Sequence, residues 1–167
     1  MRPRGFTQLD VFASGPFTGN PLAVVLDGEA LSTEAMQRIT DWTNLSEATF
    51  LLPPTDPAAD YRVRIFCPGR ELPFAGHPTL GSCAAWLATG ATPQRDDRIV
   101  QQCGAGLIPI RRDGDRLAFA APPLIRSGQV EADVLAERLD QLGLEPDRIV
   151  AAAWIDNGPG WLGILLE

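Results

Sequence analysis

The sequence contains no lysine: all 14 basic residues among its 167 are arginine, set against 21 acidic ones for a net charge of -7. Without lysine there is no Schiff-base chemistry and no P-loop lysine. The acidic balance argues against nucleic acid or an anionic membrane as partner, since both reward clustered positive charge. Histidine occurs once, at His77, and neither Ser46 nor Ser82 stands in a GxSxG context, so no hydrolase triad is assembled. Cys67, Cys83 and Cys103 are few, odd in number and widely spaced, with no CxxC or Cys/His ligand pattern. They read as free thiols of a reducing cytoplasm, and no metal site is expected. No apolar stretch of signal-peptide length precedes Asp10, so no secretory leader is read. The uncharged run from Leu72 to Gln94 is broken by Pro73, Gly76, Pro78, Gly81, Gly90 and Pro93, which leaves a helix too short to span a membrane.

What is present is ordinary in amount: 45% apolar and 21% charged residues exclude disorder and fibrous repeats. Gly 16 and Pro 15 suit many short strands joined by turns. Strands are read at Phe6 to Phe12, Leu22 to Leu26, Leu45 to Leu52 and Tyr61 to Phe66, then at Ile99 to Gln102, Leu107 to Arg111 and Leu117 to Ala120. A first helix follows Ser32 as N-cap, with Leu31 and Met36 as a hydrophobic staple and Ala35, Ile39 and Trp42 on one face, and it ends near Asn44. A second helix, with His77 at the N-cap and Pro78 at N1, is uncharged and apolar on all sides, the mark of a buried helix. Around it the strands must wrap as a closed or strongly curled sheet. Pro122 and Pro123 mark a boundary. Beyond them come an amphipathic helix from Glu131 to Leu142 and two strands, Ile149 to Ile155 and Trp161 to Leu166.

Glu47 interrupts the apolar run LSEATFLL, and a carboxylate buried without partners has its pKa raised or is forced to pair. Such a group can take up and release protons near neutral pH. The alternative is that Glu47 sits at the strand's exposed start or pairs with an arginine. His77, where helix N–H groups and the dipole favour an anion, is either functional or a capping and packing histidine. Gly104-Ala105-Gly106 reads as a turn or bulge, and Cys83 as packing.

Three ordered motifs, FTGNPLAVV at Phe17 to Val25, NLSEATF at Asn44 to Phe50 and FCPGRELPFAGHPTLG at Phe66 to Gly81, resemble the PhzF-like family of phenazine-biosynthesis isomerases. The tail WIDNGPGWLGILLE resembles a later segment of the same family. The resemblance implies an α+β, diaminopimelate epimerase-like fold: two similar domains, each a mixed sheet curled into a barrel around a central buried helix, with the active site in the cleft between them. It implies Glu47 as the catalytic proton shuttle and His77, Gly76 and Asn20 as substrate-binding positions. It further implies an isomerisation without cofactor or metal, as of dihydro-3-hydroxyanthranilate in the best-known member. Related epimerases use a cysteine pair in this region; Ala75-Gly76 stands there, which disfavours a thiol mechanism. A single base returns its proton to the face it came from, which suits isomerisation better than two-base epimerisation.

The family's second domain carries an Asp-Pro…Thr-Gly-Ser motif with a further carboxylate, and nothing like it lies between Pro123 and Glu167. The expectation is a complete first domain over 1–121 and the truncated opening of a second over 122–167. The expected partners are a small-molecule substrate and either a complementing C-terminal half or a second copy pairing the open strands. A catalytically inactive remnant or ligand-binding module of the same fold is the alternative function.

Overall fold

The computed structural model describes residues 2–114 and 116–167, which fall into two compact units, Met1–Ala121 and Pro122–Glu167. The first unit is built on an eight-stranded mixed sheet. Its strands are β1 (Phe6–Val11), β2 (Asn20–Val25), β3 (Ala48–Leu52), β4 (Tyr61–Cys67), β5 (Arg70–Leu72), β6 (Arg98–Cys103), β7 (Gly106–Asp113) and β8 (Arg116–Phe119). They run in the order β1-β2-β3-β4-β6-β7-β8, with β5 paired to β4. The sheet curls around a helix, α2 (Gly76–Ala88), which touches β1, β2, β3, β4 and β6.

Helix α1 (Thr33–Thr43) carries the chain from β2 to the parallel strand β3 and covers the outside of the curl. Both parallel strands are therefore buried on two faces, which is why they read as unbroken apolar runs. Leu22, Val24 and Leu51 face the core around α2, whereas Ala23, Val25, Ala48, Phe50 and Leu52 face the layer under α1. Gly81 lets α2 sit close on this wall: a Cβ there would lie 2.5 Å from Leu22 Cδ2 and 2.9 Å from Val11 Cγ2.

The local signals of α1 match its ends. Ser32 accepts a hydrogen bond from the Ala35 N–H, and Asn44 closes the helix in the left-handed conformation at φ 56°. Its inward face, however, is Met36, Ile39 and Thr40, and Trp42 is 85% exposed. Trp42 lies roughly 200° around the helix from Thr40, so the face including Ala35, Ile39 and Trp42 is corrected.

Two further corrections bear on function. Helix α2 begins at Gly76 with Ala75 as the extended N-cap residue, so His77 and Pro78 lie within the first turn. Proline is tolerated there because the first-turn N–H groups have no intrahelical partner. Strand β3 starts at Ala48, so Glu47 precedes the strand and does not interrupt it. Once Asn44 has turned the chain, residues 45–47 are spent on reaching the sheet.

Helix α2 is largely buried, including His77, Thr79, Ser82 and Cys83, although Ala84 and Ala88 are exposed. Strand β1 stops at Val11 because Phe12 takes φ 62°. The short strand β5 had no counterpart in the sequence reading: three residues hairpinned onto β4 give too little alternation to register.

The second unit has a three-stranded antiparallel sheet, β9 (Arg126–Gln129), β10 (Ile149–Asp156) and β11 (Leu162–Leu166), in the order β11-β10-β9. Helix α3 (Ala132–Leu142) ends at the left-handed Gly143. Strand β9, with sequence RSGQ and exposed throughout, lacks apolar alternation and was not foreseen. Among the described residues no helix is long and apolar enough to cross a membrane.

Candidate active site

Parallel pairing of β2 and β3, with Ala23 opposite Ala48, puts the starts of both strands at the same end of the sheet. Asn20 opens β2 and Glu47 immediately precedes β3. The first turn of α2 delivers His77 to the same place. Glu47 Oε2 and His77 Nδ1 lie 3.4 Å apart, and Asn20 Nδ2 lies 3.4 Å from the same ring nitrogen. The side chains of His77 and Glu47 are only 8% and 15% exposed.

The loop before Asn20 is held from β1: the Asp10 carboxylate accepts hydrogen bonds from the backbone N–H groups of Thr18 and Gly19. Gly19 is required here, because any Cβ would run into the Val11 carbonyl and the Asp10 side chain. Phe12 and Phe17, at either end of this loop, both adopt left-handed φ values, 62° and 63°, and are exposed.

Buried polar groups are nearly always hydrogen-bonded. Among the described residues three buried side-chain atoms lack a hydrogen-bond partner, and two of them, Glu47 Oε2 and His77 Nε2, lie in this cluster; the third is Arg62 Nε. The 3.4 Å approach of Oε2 to Nδ1 is within charge-pair range without being a hydrogen bond. Burial raises the Glu47 pKa, and burial lowers that of His77 against the upward pull of the Pro21 carbonyl. Both groups are thus driven toward their neutral forms, and a carboxyl so placed exchanges protons nearer neutrality than a solvated one. The N-cap residue Ala75 offers no side chain to the first-turn N–H groups of α2.

Gly76 lies beside this cluster in sequence and turns another way: its Cβ position faces the Phe119 ring at 3.2 Å. Two of the thiols are held protonated by burial, which pushes Cys83 up to about 12 and raises Cys103 as well. Among the described residues no cluster of three or more His, Cys, Asp or Glu side chains could hold a metal ion.

Three polar features escaped the sequence reading. One is Asp10. The second is a buried pair in which Ser82 Oγ donates to Thr49 Oγ1 at 2.9 Å. The third is a chain in which the Tyr61 hydroxyl donates to Gln101 Oε1 at 2.9 Å, Gln101 Nε2 donates to Thr79 Oγ1 at 3.0 Å, and Thr79 Oγ1 donates to the Ala75 carbonyl at 2.9 Å. The available signal was a hydroxyl or amide set within an otherwise apolar stretch.

The profile of the phenazine biosynthesis-like protein family matches residues 9–167. Among curated proteins, antisense-enhancing sequence 1 of Schizosaccharomyces pombe is 41% identical over 99% of this chain and 58% of its own length. The trans-2,3-dihydro-3-hydroxyanthranilate isomerase of Pseudomonas aeruginosa is 39% identical over 97% of this chain and 57% of its own length. The chain thus spans a little over half the length of these relatives. A solved structure of a predicted epimerase from Pseudomonas aeruginosa superimposes with a TM-score of 0.76 at 30% identity, covering 98% of this chain and 60% of that one. The mixed sheet curled around a buried helix is the diaminopimelate epimerase-like fold. By sequence and fold, the chain belongs to the phenazine biosynthesis-like protein family.

Proposed function

We propose that the chain carries the proton-shuttling wall of an isomerase that moves a proton between two carbons of a small cyclic, carboxylate-bearing substrate. The observation behind this reading is the Glu47 carboxylate, buried beside His77 with one oxygen free of hydrogen bonds. In the forward step the Glu47 carboxylate forms an O–H bond as a substrate C–H bond breaks, and the released electron pair spreads into the conjugated ring. The carboxyl then returns the proton to a different carbon on the same face. No electrons are gained or lost overall, so neither oxidant nor reductant is needed. His77 holds the substrate's polar groups through Nε2, Asn20 orients the imidazole, and the uncapped first-turn N–H groups of α2 receive the substrate carboxylate.

By analogy with the anthranilate-type relative, the substrate class is a dihydroaromatic amino acid. In this reading 1–121 is the first of two like domains and 122–167 opens the second, so full turnover draws on the further length that the relatives carry.

The test is solvent exchange. The purified chain is incubated with a dihydroaromatic amino acid in deuterium oxide and deuterium incorporation is followed by NMR. Exchange should run about 100-fold or more faster than with Glu47→Gln, the usual scale of a positioned acid/base group. Equal rates for the two proteins would refute the isomerase reading for this chain and leave a ligand-binding module.

A further inference from the structure

The proposed shuttle depends on two groups carried by different elements, Glu47 ahead of β3 and His77 in α2. Nothing covalent fixes their separation. Apolar contacts between a helix and a sheet are non-directional, so packing alone permits a helix to slide by fractions of an ångström. A directional link is present one step along the same two elements. Thr49 and Ser82 are both 0% exposed and joined by a 2.9 Å hydrogen bond.

The two contacts join the same stretch of chain to the same helix at two separate points. Thr49 follows Glu47 by two residues, about 6–7 Å along an extended chain, and both side chains reach α2. Ser82 follows His77 by five residues, about 7.5 Å further along the helix axis and about 140° around it, so the two contacts grip the helix from different sides. The 2.9 Å bond at Thr49–Ser82 therefore ties the helix to the strand that directly follows Glu47, whose 3.4 Å approach to His77 is the other contact between the two segments. Packing alone does not call for these hydroxyls: valine has the outline of threonine, and alanine differs from serine by one atom. A buried hydrogen bond returns only about 1 kcal/mol net, and replacing both partners by apolar groups of the same shape can be nearly neutral. The other polar anchor of α2, Thr79 with Gln101 and Tyr61, ties the helix to β6 and β4 and leaves the strand behind Glu47 untouched.

We propose that the Thr49–Ser82 hydroxyl pair is a positioning device: it fixes the register of β3 against α2 and so holds the Glu47 carboxylate against the His77 ring. The inference rests on the functional reading above, yet it can be read without turnover. His77 is the sole histidine of the chain, so its ring protons give one assignable NMR signal whose midpoint reports the neighbouring charge. Glu47 is the carboxylate within ion-pair distance of that ring among the described residues. Asn20 and the Pro21 carbonyl, from β2, are neutral. Tyr61 on β4, Cys83 on α2 and Cys103 on β6 have raised pKa values and keep their protons throughout the histidine range.

Glu47→Gln should lower the His77 midpoint by about one pH unit, the effect of removing an adjacent opposite charge. Thr49→Val combined with Ser82→Ala should move it at least halfway to the Glu47→Gln value with little change in melting temperature. Adding Glu47→Gln to that pair should give no more than Glu47→Gln alone. Thr49→Ser, which keeps the hydroxyl, should retain the wild-type midpoint. If the double variant does not fold, Ser82→Ala alone is read the same way. A wild-type midpoint in folded hydroxyl-free protein overturns the proposal, as do equal midpoints in wild type and Glu47→Gln. Normal titration shifts without deuterium exchange would leave the positioning role standing and refute the isomerase reading.

Discussion

Helix α2 carries buried polar side chains on two flanks, and the flanks are built on opposite terms. Toward β4 and β6, Tyr61, Gln101 and Thr79 hand hydrogen bonds from one to the next until the Ala75 carbonyl accepts the last. Toward the starts of β2 and β3, Glu47 Oε2 and His77 Nε2 are equally enclosed and have no such partner. A buried polar group with its partner rigidifies a fold; one without a partner is destabilising. The same helix thus presents a finished network on one side and an unfinished one on the other.

The largest effect should come from opening the finished side. Gln101→Leu strips partners from both the Tyr61 hydroxyl and Thr79, and should lower the unfolding free energy by about 2–3 kcal/mol in urea denaturation. Tyr61→Phe leaves Gln101 Oε1 unmatched, removes the hydroxyl's bond with Cys83 and keeps the stacking on Trp86 at 5.3 Å, so the loss should be about 1–2 kcal/mol. If either change proved neutral, the contrast between the flanks would collapse.

The smallest effect, of opposite sign, belongs to the unfinished side. Burial raises the Glu47 pKa above its ordinary 4.5, so the folded chain holds this proton more tightly than the unfolded chain does. Between 4.5 and the raised value the folded state therefore loses stability as pH rises. Glu47→Gln should remove that loss and raise stability at neutral pH by about 1 kcal/mol, while abolishing exchange. The gain should vanish as the pH falls toward 4.5, and thermal melts across that range would show it.

Much of this was legible in the sequence where local chemistry decides it. Ser32 and Asn44 mark the ends of α1 by capping and left-handed geometry, and the uncharged stretch after Pro78 announced a buried helix. What failed were features set by tertiary fit. Trp42 is apolar yet faces solvent, because α1 is rotated to seat Met36 and Thr40 on the sheet. His77 moved from the cap into the first turn because Ala75 takes the extended conformation at φ -153°. Glu47 was singled out by its apolar surroundings, whereas its neighbours Asn20 and His77 lie 27 and 30 residues away in sequence. No periodicity joins residues across such intervals; parallel pairing of β2 with β3 does. The hydroxyls of Thr49 and Ser82 were invisible for the same reason.

The alternation of β3 also governs where the chain can change length. Ala48 and Phe50 face the layer under α1, and Thr49 and Leu51 face the core around α2, so Glu47 is in phase with the inner set. One residue inserted between Glu47 and Ala48 would swing the carboxylate to the α1 side. Two would restore the phase and carry it about 6–7 Å away from the imidazole. A change of length at or before the exposed Ser46 would leave that phase untouched.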